Sequence, residues 1–109
     1  MKVSNLAVSL VIGLTFSVAV NAANIDVLTA WYGQSCGAAH SNATSHVKAK
    51  CDGKVTCQYL VDVAALGDPK QFCEKNYIVQ YACSGRTEVK MSQLGAEANG
   101  KVITLSCKK

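Results

Sequence analysis

Six cysteines, at positions 36, 51, 57, 73, 83 and 107, constrain this 109-residue chain more than any other feature. An even number in a short exported chain implies a disulfide framework. A domain of this size builds only a marginal core, so covalent staples matter to its folding. Six cysteines allow fifteen pairings, and spacing alone does not choose among them. Cys51 and Cys57 are close enough to pair across the turn at Asp52-Gly53. Zinc is the rival use of cysteine. The chain has no CxxC pair, and His40 and His46 do not stand beside the cysteines at ligand spacing, so no metal or other cofactor is expected.

The framework fits the N-terminus. Met1-Lys2 gives a short positive start, Leu6 to Val20 is apolar, and Val20-Asn21-Ala22 offers small residues at a cleavage position. Residues 1–22 are therefore expected to be a secretory signal cut after Ala22. The run is short for a membrane span, which needs about 20 apolar residues, and no basic stop follows. The expected domain is residues 23–109, secreted or periplasmic, with no membrane span after cleavage. The formal charge of +4 becomes +3 without Lys2, and the remaining lysines are scattered. That describes a solvated surface rather than a nucleic-acid-binding face.

Along the chain, short alternating runs predominate. In Ile25 to Tyr32, the set Ile25, Val27 and Thr29 alternates with Asp26, Leu28 and Ala30, as in a half-buried strand. Ser45 to Lys50 suits a short helix, capped by Thr44 or Ser45, with Val47 and Cys51 on its inner face. Cys57 to Val63 alternates again. Gly67-Asp68-Pro69 makes a turn, and Pro69 can open a helical turn through Phe72. In the next strand Tyr77, Val79 and Tyr81 oppose Ile78, Gln80 and Ala82. Glu88 to Met91 and Lys101 to Cys107 alternate around a loop ending in Asn99-Gly100, which predicts a C-terminal hairpin within residues 84–109. The expected fold class is α+β and β-rich: a small disulfide-stabilised antiparallel sheet or sandwich with one or two short helices.

No catalytic constellation stands out, and the chain is not expected to be an enzyme. The histidines have no nucleophile partner, and oxidised cysteines are not nucleophiles. Asp62 and Asp68 could form a carboxylate pair, but nothing in the sequence fixes their separation, as glycosidase chemistry requires. Trp31 is expected in the core; Tyr32, at a strand end beside Gly33, suits core and ligand contact equally. Asp68 suits a turn cap before Pro69, and Lys75 a solvated side chain. Asn42-Ala43-Thr44 matches the glycosylation triplet. An aromatic ring beside an acid and a base is also what holds a sugar, covering its C–H face while charged groups bind its hydroxyls.

The order Ala30-Trp31-Tyr32-Gly33-Gln34, Cys51-Asp52-Gly53-Lys54-Val55-Thr56-Cys57, Gly67-Asp68-Pro69, then Cys73, Lys75, Tyr77 and Tyr81-Ala82-Cys83 resembles the rhamnose/galactose-binding lectin domain of the sea-urchin-egg-lectin type. The likeness spans about Ile25 to Cys83. It implies calcium-independent binding of vicinal sugar hydroxyls, with Tyr32, Asp68 and Lys75 as ligand contacts. The chain departs from the pattern at Trp31, Gln34, Asn76 and the spacing of Cys73, and it lacks the family's first strand with its ligand-binding Glu. The segment Gly100 to Cys107 resembles that strand moved to the other end, a circular permutation. The likeness then implies the bridges Cys36–Cys73, Cys51–Cys57 and Cys83–Cys107, with Glu88 or Glu97 replacing the missing Glu. The implied partners are cell-surface or extracellular glycans of rhamnose or galactose type, bound by oligomers or arrays because single sugar sites are weak. The alternative is a domain that keeps the fold but serves as a protein-interaction module or enzyme inhibitor.

Overall fold

Alternation builds the central strand. The computed structural model describes residues 23–108, and the expected signal segment lies outside them. Strand β3 (Tyr77–Cys83) buries every second residue, Tyr77, Val79, Tyr81 and Cys83. It pairs antiparallel with β1 (Ile25–Tyr32) on one side and β4 (Val89–Leu94) on the other. A second antiparallel sheet joins β2 (Thr56–Leu60) to β5 (Val102–Ser106), burying Cys57, Tyr59, Ile103 and Leu105. The inner faces of both sheets share one core, in which the Tyr59 and Tyr77 rings lie 5.6 Å apart. Helix α1 (Thr44–Cys51) adds Val47 and Cys51 to that core, and α2 (Val63–Leu66) is a single turn. The described residues thus form an α+β, β-rich fold, with five antiparallel strands in two sheets and two short α-helices.

Strand β1 does not keep the predicted phase. Its register with β3 shifts between Val27 and Thr29. Ile25 and Val27 point inward, and after the bulge Ala30 and Tyr32 do so, not Thr29. A bulge leaves one residue unpaired and turns the following side chains to the other face. Here Leu28 is 46% exposed, Thr29 bonds Ser41 across the surface, and Tyr32 is delivered to the core.

Local capping also overrides alternation. The run from Cys57 was expected to continue as strand to Val63. It stops at Leu60 because the Asp62 carboxylate accepts the Ala64 N–H and starts α2. Helix α1 starts after Ala43, without a side-chain cap. The expected cap Thr44 instead accepts the Ala30 N–H through its hydroxyl, tying the helix to β1. Pro69 to Phe72 forms bends and turns rather than a helical turn.

The C-terminal segment is not a hairpin. β4 completes the β1-β3 sheet, whereas β5 crosses to β2. The intervening loop is docked on both sides: Ala98 donates to Lys75 O at 2.9 Å and Gly100 to Val61 O at 2.8 Å. Asn99-Gly100 therefore turns the chain toward β2 rather than back along β4. Three disulfides fasten the layers: Cys36–Cys73, Cys51–Cys57 and Cys83–Cys107. These are the pairs that the lectin resemblance implies. The first joins the loop after β1 to the loop before β3, the second ties α1 to β2, and the third joins the two sheets. Among the described residues no helix is long and apolar enough to cross a membrane.

Candidate ligand-binding site

Tyr32 ends β1 on the inner face, and two neighbours fix its backbone. Asn42 accepts the Tyr32 N–H at 2.8 Å and donates to the Tyr32 carbonyl at 2.8 Å. The amide of the glycosylation triplet is thus already used as a clamp. Gly33 then turns the chain with φ +97°, a conformation that favours glycine. A Cβ there would come within 3.0 Å of the Ala38 Cβ and 3.2 Å of the Lys75 Cγ. The bare glycine lets the Lys75 stem pass beneath β1.

Lys75 is not a solvated side chain; it is 4% exposed. Its ammonium donates to the carbonyls of Cys73 at 2.7 Å and Lys70 at 3.1 Å. It pairs with Asp68 Oδ1 at 2.9 Å and lies 3.8 Å from Glu97 Oε1. The same nitrogen stands 5.5 Å from the centre of the Tyr32 ring. Asp68 is therefore the partner of a buried cation rather than a turn cap. A buried ammonium requires such compensation, because an uncompensated charge in the interior is strongly destabilising.

Glu97 closes the cluster. Its Oε1 accepts the Lys75 N–H at 2.7 Å, and its Oε2 accepts the Asn99 N–H at 2.9 Å and the Tyr32 hydroxyl. Burial alone would raise the Glu97 carboxyl. The hydrogen bonds from Tyr32, Lys75 N–H and Asn99 N–H, with the Lys75 charge, hold it below the ordinary glutamate range. Burial first, then the Glu97 bond and the nearby carboxylate charges, push the Tyr32 hydroxyl well above its ordinary value. Tyr32 therefore stays a donor.

The structure thus gathers Tyr32, Asp68, Lys75 and Glu97 but leaves Glu88 exposed in the segment before β4, outside the cluster. Within it, Tyr32 is 1% exposed and Lys75 is buried, so neither offers a surface to a ligand. The carboxylates do: the Asp68 and Glu97 side chains are 38% and 31% exposed. Phe72, on the loop between Asp68 and Lys75, is fully exposed and has φ +64°, unusual for a bulky residue. Asp62 caps α2 while Asp68 pairs with Lys75, so the two carboxylates have separate partners.

Two cavities lie elsewhere. One, of about 270 Å³, is bounded by His46, Lys50, Lys54, Gln58, Tyr59 and Asp62. There His46 is not a plain surface residue, because its Nδ1 bonds the Tyr59 hydroxyl. The other, of about 190 Å³, is lined by Trp31, which is not in the core. Among the described residues no group of three or more His, Cys, Asp or Glu is placed to hold a metal. No family model matches the chain, and no curated protein or solved structure matches it significantly.

Proposed function

We propose that the domain is an exported carbohydrate-binding module that takes the vicinal hydroxyls of a neutral sugar at the Asp68–Glu97 rim. The observation that carries this reading is two partly exposed carboxylates held against one buried ammonium, at 2.9 and 3.8 Å. Neighbouring hydroxyls are donors on adjacent carbons, and two fixed carboxylates are matching acceptors with charge-assisted strength. Lys75 sits behind them, cancels their mutual repulsion and fixes their spacing. Tyr32 orients Glu97 through its hydroxyl. Both act by positioning, which pre-organises the acceptors and reduces the ordering cost of binding. The cluster has one net negative charge, which disfavours sulfated or carboxylated sugars. The resemblance to rhamnose/galactose-binding lectins points to the same ligand class, with Glu97 in the role of the missing Glu. A single shallow site is weak, so useful avidity comes from oligomers or from glycans displayed in arrays.

A glycan array with the oxidised wild type and Asp68→Asn tests this. Asn keeps an acceptor for Lys75 but removes the charge, and near-ultraviolet circular dichroism checks the fold. The expected result is binding to neutral glycans with rhamnose- or galactose-type vicinal hydroxyls, weakened at least about tenfold by the variant. A folded wild type that binds no glycan refutes the reading. The second reading, a protein-interaction module or inhibitor, would then stand on Phe72. An exposed aromatic on a loop pinned by Cys36–Cys73 has the character of an interface anchor.

A further inference from the structure

The carboxylate cluster uses only the inner side of β1. On the outer side, the register sets Thr29, Gln80 and Met91 in one row across β1, β3 and β4, with Trp31 beside Ile78 in the next row. The bulge near Leu28 creates this arrangement, because it turns Thr29 and Trp31 outward. Together with Gln34 and His40, these residues line the groove of about 190 Å³.

The groove is built rather than incidental. Trp31 is half-buried, and its Nε1 donates to the Ala38 carbonyl at 3.0 Å. Its ring meets His40 edge-on, with centroids 4.6 Å apart and planes at 75°. His40 Nδ1 in turn lies 2.9 Å from the Ser41 hydroxyl, which bonds the Thr29 hydroxyl at 2.6 Å. The aromatic platform and its polar rim are therefore fixed before any ligand arrives. Among the described residues no lysine, arginine or carboxylate lines the groove.

We propose that this groove is a second saccharide site, taking one neutral pyranose ring on the face of β1 opposite the carboxylate cluster. The indole, with Ile78 and Met91, covers the C–H side of a sugar ring. The Gln80 amide offers a donor and an acceptor, as sugar hydroxyls do, and the Gln34 amide, whose oxygen accepts from Asn76 at 3.4 Å, offers its donors. Without a lysine, arginine or carboxylate, the groove has no fixed charge that would select an ionic ligand. Its volume is below the roughly 300 Å³ at which drug-sized ligand sites begin, so it fits one ring rather than a peptide segment. The proposal is independent of the carboxylate reading. If both sites bind, one chain grips two sugars on opposite faces and can cross-link glycans without oligomerising.

Trp31 is the sole tryptophan, so its emission reports on this groove. The oxidised protein is titrated with L-rhamnose, D-galactose, D-glucose and maltotriose. Trp31 fluorescence and the nuclear magnetic resonance signals of the indole N–H and the Gln34 and Gln80 amides are followed. The expected result is a saturable change at these groups with at least one sugar. It persists in Asp68→Asn and weakens about tenfold in Gln80→Ala, whose removed side chain takes no part in the Trp31–Ala38 hydrogen bond or the Trp31–His40 ring contact. Unmoved indole and amide signals at tens of millimolar of every sugar would overturn the proposal. So would an unchanged response in Gln80→Ala, or a response lost in Asp68→Asn, which would assign it to the carboxylate site.

Discussion

Glu97→Gln is the sharpest test of how the carboxylate cluster is held. The wild-type carboxylate accepts from Lys75 N–H, Asn99 N–H and the Tyr32 hydroxyl. Glutamine has one acceptor oxygen and one donor group. If its oxygen faces Tyr32 and Asn99, its NH₂ confronts the Lys75 N–H and leaves that buried donor unpaired. If it faces Lys75, the NH₂ confronts the Asn99 N–H. In the first case the buried Lys75 N–H is orphaned, at about 1–3 kcal/mol; in the second the exposed Asn99 N–H turns to water at smaller cost; in both the surviving bonds lose their charge assistance. Lys75 also loses the second carboxylate, 3.8 Å away and partly screened by solvent. The sum is a destabilisation of about 1–3 kcal/mol at neutral pH, a fall of roughly 1–2 M in the urea midpoint for a domain of this size. The pH dependence adds a sign. A carboxyl held low in the folded state contributes stability above its unfolded value, near the ordinary 4.5, and loses it as pH falls through the lower folded value. Urea melts of the oxidised protein at neutral and acid pH should therefore show the variant deficit shrinking below about pH 4. A deficit under about 0.5 kcal/mol at neutral pH, or one that does not shrink in acid, refutes the argument.

Other perturbations separate covalent, steric and polar contributions. Removing Cys36–Cys73, with a sequence separation of 37, should cost about 4 kcal/mol by loop entropy, against about 2 kcal/mol for Cys51–Cys57, with a separation of 6; thermal melts of paired Cys→Ala variants give the order. Gly33→Ala forces φ +97° on a Cβ that meets Ala38 at 3.0 Å, and should cost about 2 kcal/mol or more while loosening Lys75. A melting temperature unchanged from wild type would count against that packing. Among the described residues the Tyr77 hydroxyl is buried without a hydrogen-bond partner, and the neighbouring Tyr59 hydroxyl bonds His46. Tyr77→Phe should thus be neutral or stabilising by up to about 1 kcal/mol in urea melts, and a clear loss would mean that the hydroxyl is used.

The sequence carries the parts of this fold that local chemistry decides. Strand β3 is legible because Tyr77, Val79 and Tyr81 alternate without interruption. Helix α1 is legible because Val47 and Cys51 share one face. The missed features were settled by partners far along the chain. Nothing near Leu28 announces a bulge, yet the bulge decides that Tyr32 points in and Trp31 out. Lys101 to Cys107 alternates as a hairpin arm would, but its buried Ile103 and Leu105 match Tyr59 and Cys57 rather than β4. Asp68, Lys75 and Tyr32 were nameable from a motif, but the burial of Lys75 and Tyr32 was not. That Lys75 is buried follows from Gly33 lying over its stem. Glu97 and Glu88 were equal in sequence; the docking of Ala98 on Lys75 O separates them.

The Cys83–Cys107 bond has a consequence for attachment. At the start of the described chain, Asn24 O accepts from Ser84 N, and Ile25 pairs with Cys83. At its end, Cys107 is bonded to the same Cys83. Both ends therefore emerge at one corner, while Tyr32 and Trp31 lie at the far end of β1, about 20 Å away along the strand. A linker, tag or solid support joined beside residue 23 or residue 108 would hang from that corner and leave the Asp68–Glu97 rim and the Trp31 groove turned toward solution.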